Sequence, residues 1–147
     1  TERLDQLISS IRNFMYATKN IRDIQRDIEQ LKNSSNDVKY EIYNQYRNEI
    51  SEFYRRVLRM LIKENKGNSI QELSAVYQII STGYSDSLKR LYRENLTKKV
   101  NEIEISTLVN FNRELYTSYK SMWFGLKDFL LTPQEAEQFD ALPGFIR

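Results

Sequence analysis

The chain contains no cysteine and no histidine. The first absence removes disulfides, thiolate nucleophiles and the usual structural zinc sites, and it fits a reducing compartment. The second removes the commonest general acid/base and the commonest metal ligand. Catalysis would have to run on carboxylates, lysine, tyrosine or serine, so the chain is expected not to be an enzyme and to require no cofactor. Proline is nearly absent too, with two residues and neither before position 133, and there are only four glycines. Little in the chain therefore interrupts long helices. No apolar run approaches the roughly 20 residues that span a bilayer, and the opening Thr1-Glu2-Arg3 lacks the basic-then-apolar layout of a signal peptide. Charge of one sign is lacking as well: 22 basic residues face 20 acidic ones, a net charge of +2. That balance describes a solvated surface rather than the field of a nucleic-acid binder, and no nucleic-acid partner is expected.

What is present is helical periodicity over the 147 residues of a single domain, 1–147. Leu4, Leu7, Ile11, Phe14, Thr18, Ile21 and Ile28 recur at three-four spacing, widened by Ile8, Met15, Ile24 and Leu31. They predict one helix from about Glu2 to Lys32 with a broad core-facing stripe. The cluster Asn33-Ser34-Ser35-Asn36-Asp37 reads as a turn ending in N-cap residues. Ile42, Tyr46, Ile50, Phe53, Val57, Met60 and Leu61 then carry a second helix to about Glu64. Gly67 supplies a C-cap, and Ser69 with Glu72 makes a capping box ahead of Leu73, Val76, Ile80, Tyr84, Leu88 and Leu91. A turn near Leu96 to Asn101 precedes a fourth stripe, Ile105, Leu108, Leu115, Tyr119, Met122, Leu126 and Phe129. Thr132-Pro133 with Glu135 starts a short helix that ends at Leu142-Pro143-Gly144, a tail (132–147) expected to pack through Phe139, Phe145 and Ile146. Short loops between long helices predict an all-α, antiparallel up-down bundle of about four long helices plus a short C-terminal helix. An opening already helical and without methionine is expected of a segment of a longer protein.

Few residues offer chemistry. Asp23 and Asp27 stand four apart, a spacing that lets two carboxylates share a hard cation, with Arg22 and Arg26 beside them to neutralise the same face. Glu102, Glu104, Glu94 and Glu114 form an acidic patch only if tertiary structure gathers them. Arg55, Arg56, Arg59, Lys63 and Lys66 crowd the end of the second helix, where cations complement the helix dipole; the sharper reading is an anion or partner contact. Lys89, Arg90, Arg93, Lys98 and Lys99 repeat the pattern on the third. Asn110, Arg113 and Thr117 share a face of the fourth helix and read either as an inter-helix polar network or as a ligand or partner contact. The ten tyrosines sit at stripe edges, where a ring buries and its hydroxyl stays wet. Trp123 is expected in the core or an interface.

At Ala17-Thr18-Lys19-Asn20-Ile21-Arg22-Asp23-Ile24, and through Glu104-Ile105-Ser106-Thr107-Leu108-Val109-Asn110-Phe111-Asn112-Arg113-Glu114, the chain resembles the PhoU-like domain that follows the membrane segments of bacterial sodium/phosphate cotransporter family proteins. The resemblance implies a regulatory, non-catalytic domain at the cytoplasmic face of the inner membrane. Its implied partner is the membrane portion of the same transporter or another copy of the bundle, with a homodimer among the possibilities. Such domains carry acidic clusters that bind divalent metal; only Asp23 and Asp27 match the spacing here, and no second acidic pair follows Arg113. Two other readings stand beside it. One is a helical scaffold unrelated to phosphate. The other is a chorismate-mutase-like enzyme, because Leu4 through Arg12 resembles the opening of that fold's first helix; it requires a pocket where Arg and Lys groups, Arg12 among them, converge on a dicarboxylate.

Overall fold

A computed structural model describes residues 1–62, 69–93, 96 and 98–141. Among these residues there are helices and no strands: α1 (Glu2–Asp23), α2 (Gln25–Lys32), α3 (Asp37–Ile62), α4 (Ser69–Leu91), α5 (Glu102–Leu130) and α6 (Pro133–Asp140). The all-α class is as the periodicity predicts. Side-chain pairings give the directions. Arg3 meets Asp128 and Asn20 meets Glu114, so α1 runs antiparallel to α5. Trp123 meets Leu73 and Tyr116 meets Tyr84, which sets α4 antiparallel to α5, and Arg90 meets Glu49 while Glu72 shares a cleft with Arg59 and Met60, which sets α3 antiparallel to α4. The result is the expected up-down-up-down bundle with a short final helix.

The ends of the helices follow local chemistry. Asn36 Oδ1 accepts from the backbone N–H of Val38 at 2.9 Å and caps α3. Asn101 with Glu104, and Thr132 with Glu135, form complete capping boxes at the starts of α5 and α6, with Pro133 in the first turn of α6. At the other end of α5 the Arg3 guanidinium donates to the carbonyls of Asp128, Phe129 and Leu131 at 2.9 to 3.2 Å. A cation from α1 thus satisfies orphan carbonyls at the negative end of the α5 dipole. Phe139 of α6 buries edge-on against Trp123, centroids 5.5 Å apart. The expected tail contacts of Phe145 and Ile146, the stop at 142–144 and the glycine cap before Ser69 lie outside the described residues.

Two expectations for the first helix are corrected. It is not continuous: Ile24, at φ −104° and ψ 4°, separates α1 from α2. Its N–H donates to Ile21 C=O at 3.2 Å, a tightened turn, and Ile28 N–H picks up Ile24 C=O at 3.0 Å. The break buries the Ile24 side chain completely and lets α2 pack on α3 while α1 stays on α5. Nor does the whole apolar stripe face the core. The α5-facing side of α1 carries Ser10, Phe14 and Ala17, whereas Leu4, Ile8, Ile11 and Met15 are exposed. Small side chains win this face because they let two backbones approach: Ser118 Oγ on α5 donates to the Ala17 carbonyl at 2.8 Å, and Phe14 lies against Gly125.

α5 is the hub, burying Leu115, Trp123 and Leu126 without residual exposure. On its other side large rings set the spacing. Tyr46 of α3 meets Phe111 edge-on at 4.8 Å, and Phe53 meets Tyr119 at 4.2 Å. Aromatic residues hold α3 away from α5 as surely as serine and alanine draw α1 in, and a groove opens along the side of α3.

Candidate functional site

The groove runs between α3 and α4 with α5 as its floor and has a volume of about 800 Å³. Phe53, Val76, Ile79 and Ile80 make its walls apolar, and Tyr116 and Tyr119 form the floor. Arg56, Lys89, Arg90 and Arg93 border it together with Glu49, Glu52 and Asp86. Cations therefore exceed anions by one along an otherwise apolar slot.

Its polar centre is an ion pair across the groove, Arg90 Nη2 to Glu49 Oε1 at 2.7 Å, with both side chains about one third exposed. Burial alone would lower the Arg90 pKa, but the hydrogen bond and charge of Glu49 outweigh it and raise it, so the guanidinium is firmly charged. The second Glu49 oxygen, Oε2, and the Tyr119 hydroxyl are buried and have no hydrogen-bond partner, and both residues line the groove. Behind them Tyr46 donates to Asn112 Oδ1 at 2.8 Å, fully inside the bundle, while the Asn112 amide nitrogen is unpaired. Burial, with the Glu49 charge adding to it, pushes the phenols of Tyr46 and Tyr119 well above their ordinary value and raises that of Tyr116. Burial does the same at Tyr54, opposed by a hydrogen bond with Ser118. These hydroxyls stay protonated at neutral pH and act as donors and acceptors, not as bases. Gly83 makes the floor possible: a Cβ there would stand 2.9 Å from the Tyr116 hydroxyl oxygen.

The residues singled out from the sequence are distributed unevenly over this geometry. Arg56 lines the groove, and Arg56 and Arg59 border a second cleft of about 420 Å³ with Met60, Ile62 and Glu72. Arg55, Arg56 and Arg59 all lie within 3.1 to 3.8 Å of Glu52, so that one carboxylate neutralises part of the cluster. Lys63 and Lys66 fall outside the described residues, as does Glu94. Asn110, Arg113 and Thr117 do share a face, but it is exposed. Arg113 donates to Asn110 Oδ1 at 2.6 Å and Thr117 to the Arg113 carbonyl at 2.8 Å, so the inter-helix network expected of them is corrected. Asn112 and Ser118 hold that role instead, because they, and not Asn110, Arg113 and Thr117, point inward.

Asp23 is exposed at the end of α1, and Asp27 lies in the first turn of α2, beside a cleft of about 220 Å³ shared with Lys39 and Glu104. The break at Ile24 interrupts the continuous helix on which their four-residue spacing was read. Among the described residues no three His, Cys, Asp or Glu side chains gather where they hold a metal ion. Glu104 serves the α5 cap and pairs with Lys39, and Glu114 accepts from Asn20 at 2.9 Å. Arg12, required by the mutase-like reading, is exposed on α1.

Sequence reasoning missed Glu49 and the tyrosine floor. Tyr46 and Tyr119 stand in apolar stripes, which placed their rings correctly, but their hydroxyls are buried rather than wet at the stripe edge. A signal was present: a tyrosine at a central stripe position carries its hydroxyl inside with its ring and demands a polar partner there. Among the described residues no helix is long and apolar enough to cross a membrane. Comparison with protein-family models, curated proteins and solved structures returns no match for this chain.

Proposed function

We propose that the protein is a non-catalytic interaction domain whose α3/α4 groove receives an amphipathic helix, with apolar side chains on one face and acidic ones at its flanks. The observation that carries this reading is the groove itself: α3 and α4 flank an apolar slot of about 800 Å³, under a rim of Arg56, Lys89 and Arg93. The carboxylates and cations of the groove border, Glu52 and Asp86 with Lys89 and Arg93, offer polar contacts to the occupant. The described groove lining holds no serine, threonine, cysteine or histidine to serve as nucleophile or imidazole base, and binding rather than turnover is proposed.

A synthetic helical peptide with leucine at i, i+3, i+4 and i+7 and glutamate flanks tests the proposal by isothermal titration. Saturable binding is expected, weakened at least about tenfold by Ile79→Glu on the exposed wall of the groove. No saturable heat, or equal affinity for the variant, refutes it.

The occupant proposed first is a segment of a phosphate transport protein, to which the chain would belong as a PhoU-like regulatory domain at the cytoplasmic membrane face. This rests on the resemblance. Its two strings lie side by side, Asn20 on α1 donating to Glu114 on α5 at 2.9 Å. Titration with inorganic phosphate, manganese and magnesium decides whether a ligand of that system is sensed directly. Saturable binding that is lost in Asp23→Asn/Asp27→Asn assigns a metal to that face, and silence leaves helix docking as the mode of action.

A further inference from the structure

α1 carries an apolar face that the bundle does not use. Leu4, Ile8, Ile11 and Met15 retain 55, 46, 60 and 66% of their surface. They follow one another at spacings of four, three and four residues, the seam of a left-handed helix pair, rotated roughly 120° from the face that packs on α5. Together they expose roughly 400 Å² of contiguous apolar surface, within the size range at which a patch on a soluble domain marks an interaction site. Scattered apolar residues need no explanation, but a four-residue seam at coiled-coil spacing does.

We propose that this seam pairs with the same seam on a second copy of the chain, the two α1 helices lying antiparallel across a two-fold axis between Ile8 and Ile11. Two properties of the sequence select this occupant. The seam is self-complementary: antiparallel alignment about that axis sets Leu4 opposite Met15 of the partner copy and Ile8 opposite Ile11, twice over by symmetry. The flanking charges are also complementary in that register. Asp5 and Arg12 are exposed, seven residues apart along the same edge of the seam. Antiparallel pairing sets this edge of each copy against the same edge of the other, bringing Asp5 to within about one turn of Arg12, whereas parallel pairing sets it against the opposite edge and keeps the two charges apart.

The seam offers roughly 400 Å² per copy, about 800 Å² for the pair, the size of a weak, concentration-dependent association. Arg3, Ser9 and Asn20 are committed to α5 on another face, so pairing leaves the intramolecular contacts of α1 intact. The α3/α4 groove lies on other helices, so this inference does not depend on the proposed function.

Sedimentation equilibrium and light scattering of the unaltered chain from about 1 to 100 µM test it, over the range where an interface of this size associates. The expected result is a monomer–dimer equilibrium. Ile11→Glu lies on the exposed seam and is expected to give a monomer with unchanged far-UV circular dichroism. Asp5→Arg is expected to weaken the dimer about tenfold or more, and Asp5→Arg/Arg12→Asp to restore it to within about threefold. Ile79→Glu in the groove leaves the dimer unchanged, which separates this test from the previous one. A monomer at all concentrations, a dimer indifferent to Ile11→Glu, or failure of the double exchange to restore association each overturns the proposal.

Discussion

Gly125→Ala tests how the hub helix meets α1. An alanine Cβ at this position would stand 2.4 Å from Phe14 Cε1, 2.6 Å from Cδ1 and 3.1 Å from Cζ. All three distances are below or at the edge of what carbon atoms tolerate, so the ring must move by an ångström or more. Its freedom to do so is limited, because the small residues beside it hold the two backbones close: Ala17 gives its carbonyl to Ser118 at 2.8 Å, and Ser10 is equally buried. Overpacking costs about 1 to 3 kcal/mol, and two contacts below 3.0 Å place this one in the upper part of that range, at about 2 to 3 kcal/mol. Against it, replacing a mid-helix glycine by alanine gains about 1 kcal/mol of helix propensity. The net expectation is a loss of about 1 to 2 kcal/mol, which for a chain of this size lowers Tm by roughly 3 to 6 °C. Thermal unfolding followed by circular dichroism reads the shift. Phe14→Leu in the Gly125→Ala background removes the atoms in conflict, so the double-mutant cycle is expected to show a favourable coupling of about 1 kcal/mol or more. A Gly125→Ala protein as stable as the parent, or additive effects of the two changes, would refute the reasoning that ring and glycine are in direct opposition.

Two further outcomes follow from the buried polar groups. Tyr46→Phe strands the Asn112 carbonyl and is expected to destabilise by about 1 to 3 kcal/mol in urea titration, whereas Tyr46→Phe/Asn112→Leu, which removes both partners and the unpaired Asn112 amide, is expected to lie close to the parent. Raised phenol pKa values make the fold sensitive to alkali. The folded state holds the protons of Tyr46 and Tyr119 more tightly than the unfolded chain does, so their contribution is complete below the unfolded value near pH 10. It is lost as pH climbs above that, at up to roughly 2 to 3 kcal/mol per pH unit for these two fully enclosed groups. Tyrosinate absorbance at 295 nm and helicity are expected to change together above pH 10; ionisation of all ten tyrosines with the helices intact would contradict the burial.

Much of the architecture was legible in the residues because it depends on interactions a few positions long. Asn101 with Glu104 and Thr132 with Glu135 satisfy the N–H groups of their own helix starts, and the caps form as read. The junction without glycine or proline was placed correctly between Leu91 and Glu102 because the apolar period restarts there. The candidate groove was not legible. Arg90 and Glu49 are 41 residues apart, and neither has a local feature that names the other. The cationic runs gave Arg56, Arg90 and Arg93 as a basic surface but not the cavity they border.

By itself, then, the sequence determined the long helices apart from the break at Ile24, the caps of α3, α5 and α6, and the alternating directions, since periodicity and end chemistry act within a turn or two of the chain. Tertiary structure decided which part of each apolar surface is used. On α1 the seam of Leu4, Ile8, Ile11 and Met15 is the more hydrophobic, yet Ser10 and Ala17 face the hub because only small side chains admit the backbone of α5 at that distance. On α3 the rings of Tyr46 and Phe53 do the reverse, holding their helix off and opening the groove that carries the proposed function. Hydrophobicity says that a face will seek cover, but the steric fit between two whole helices settles which face receives it.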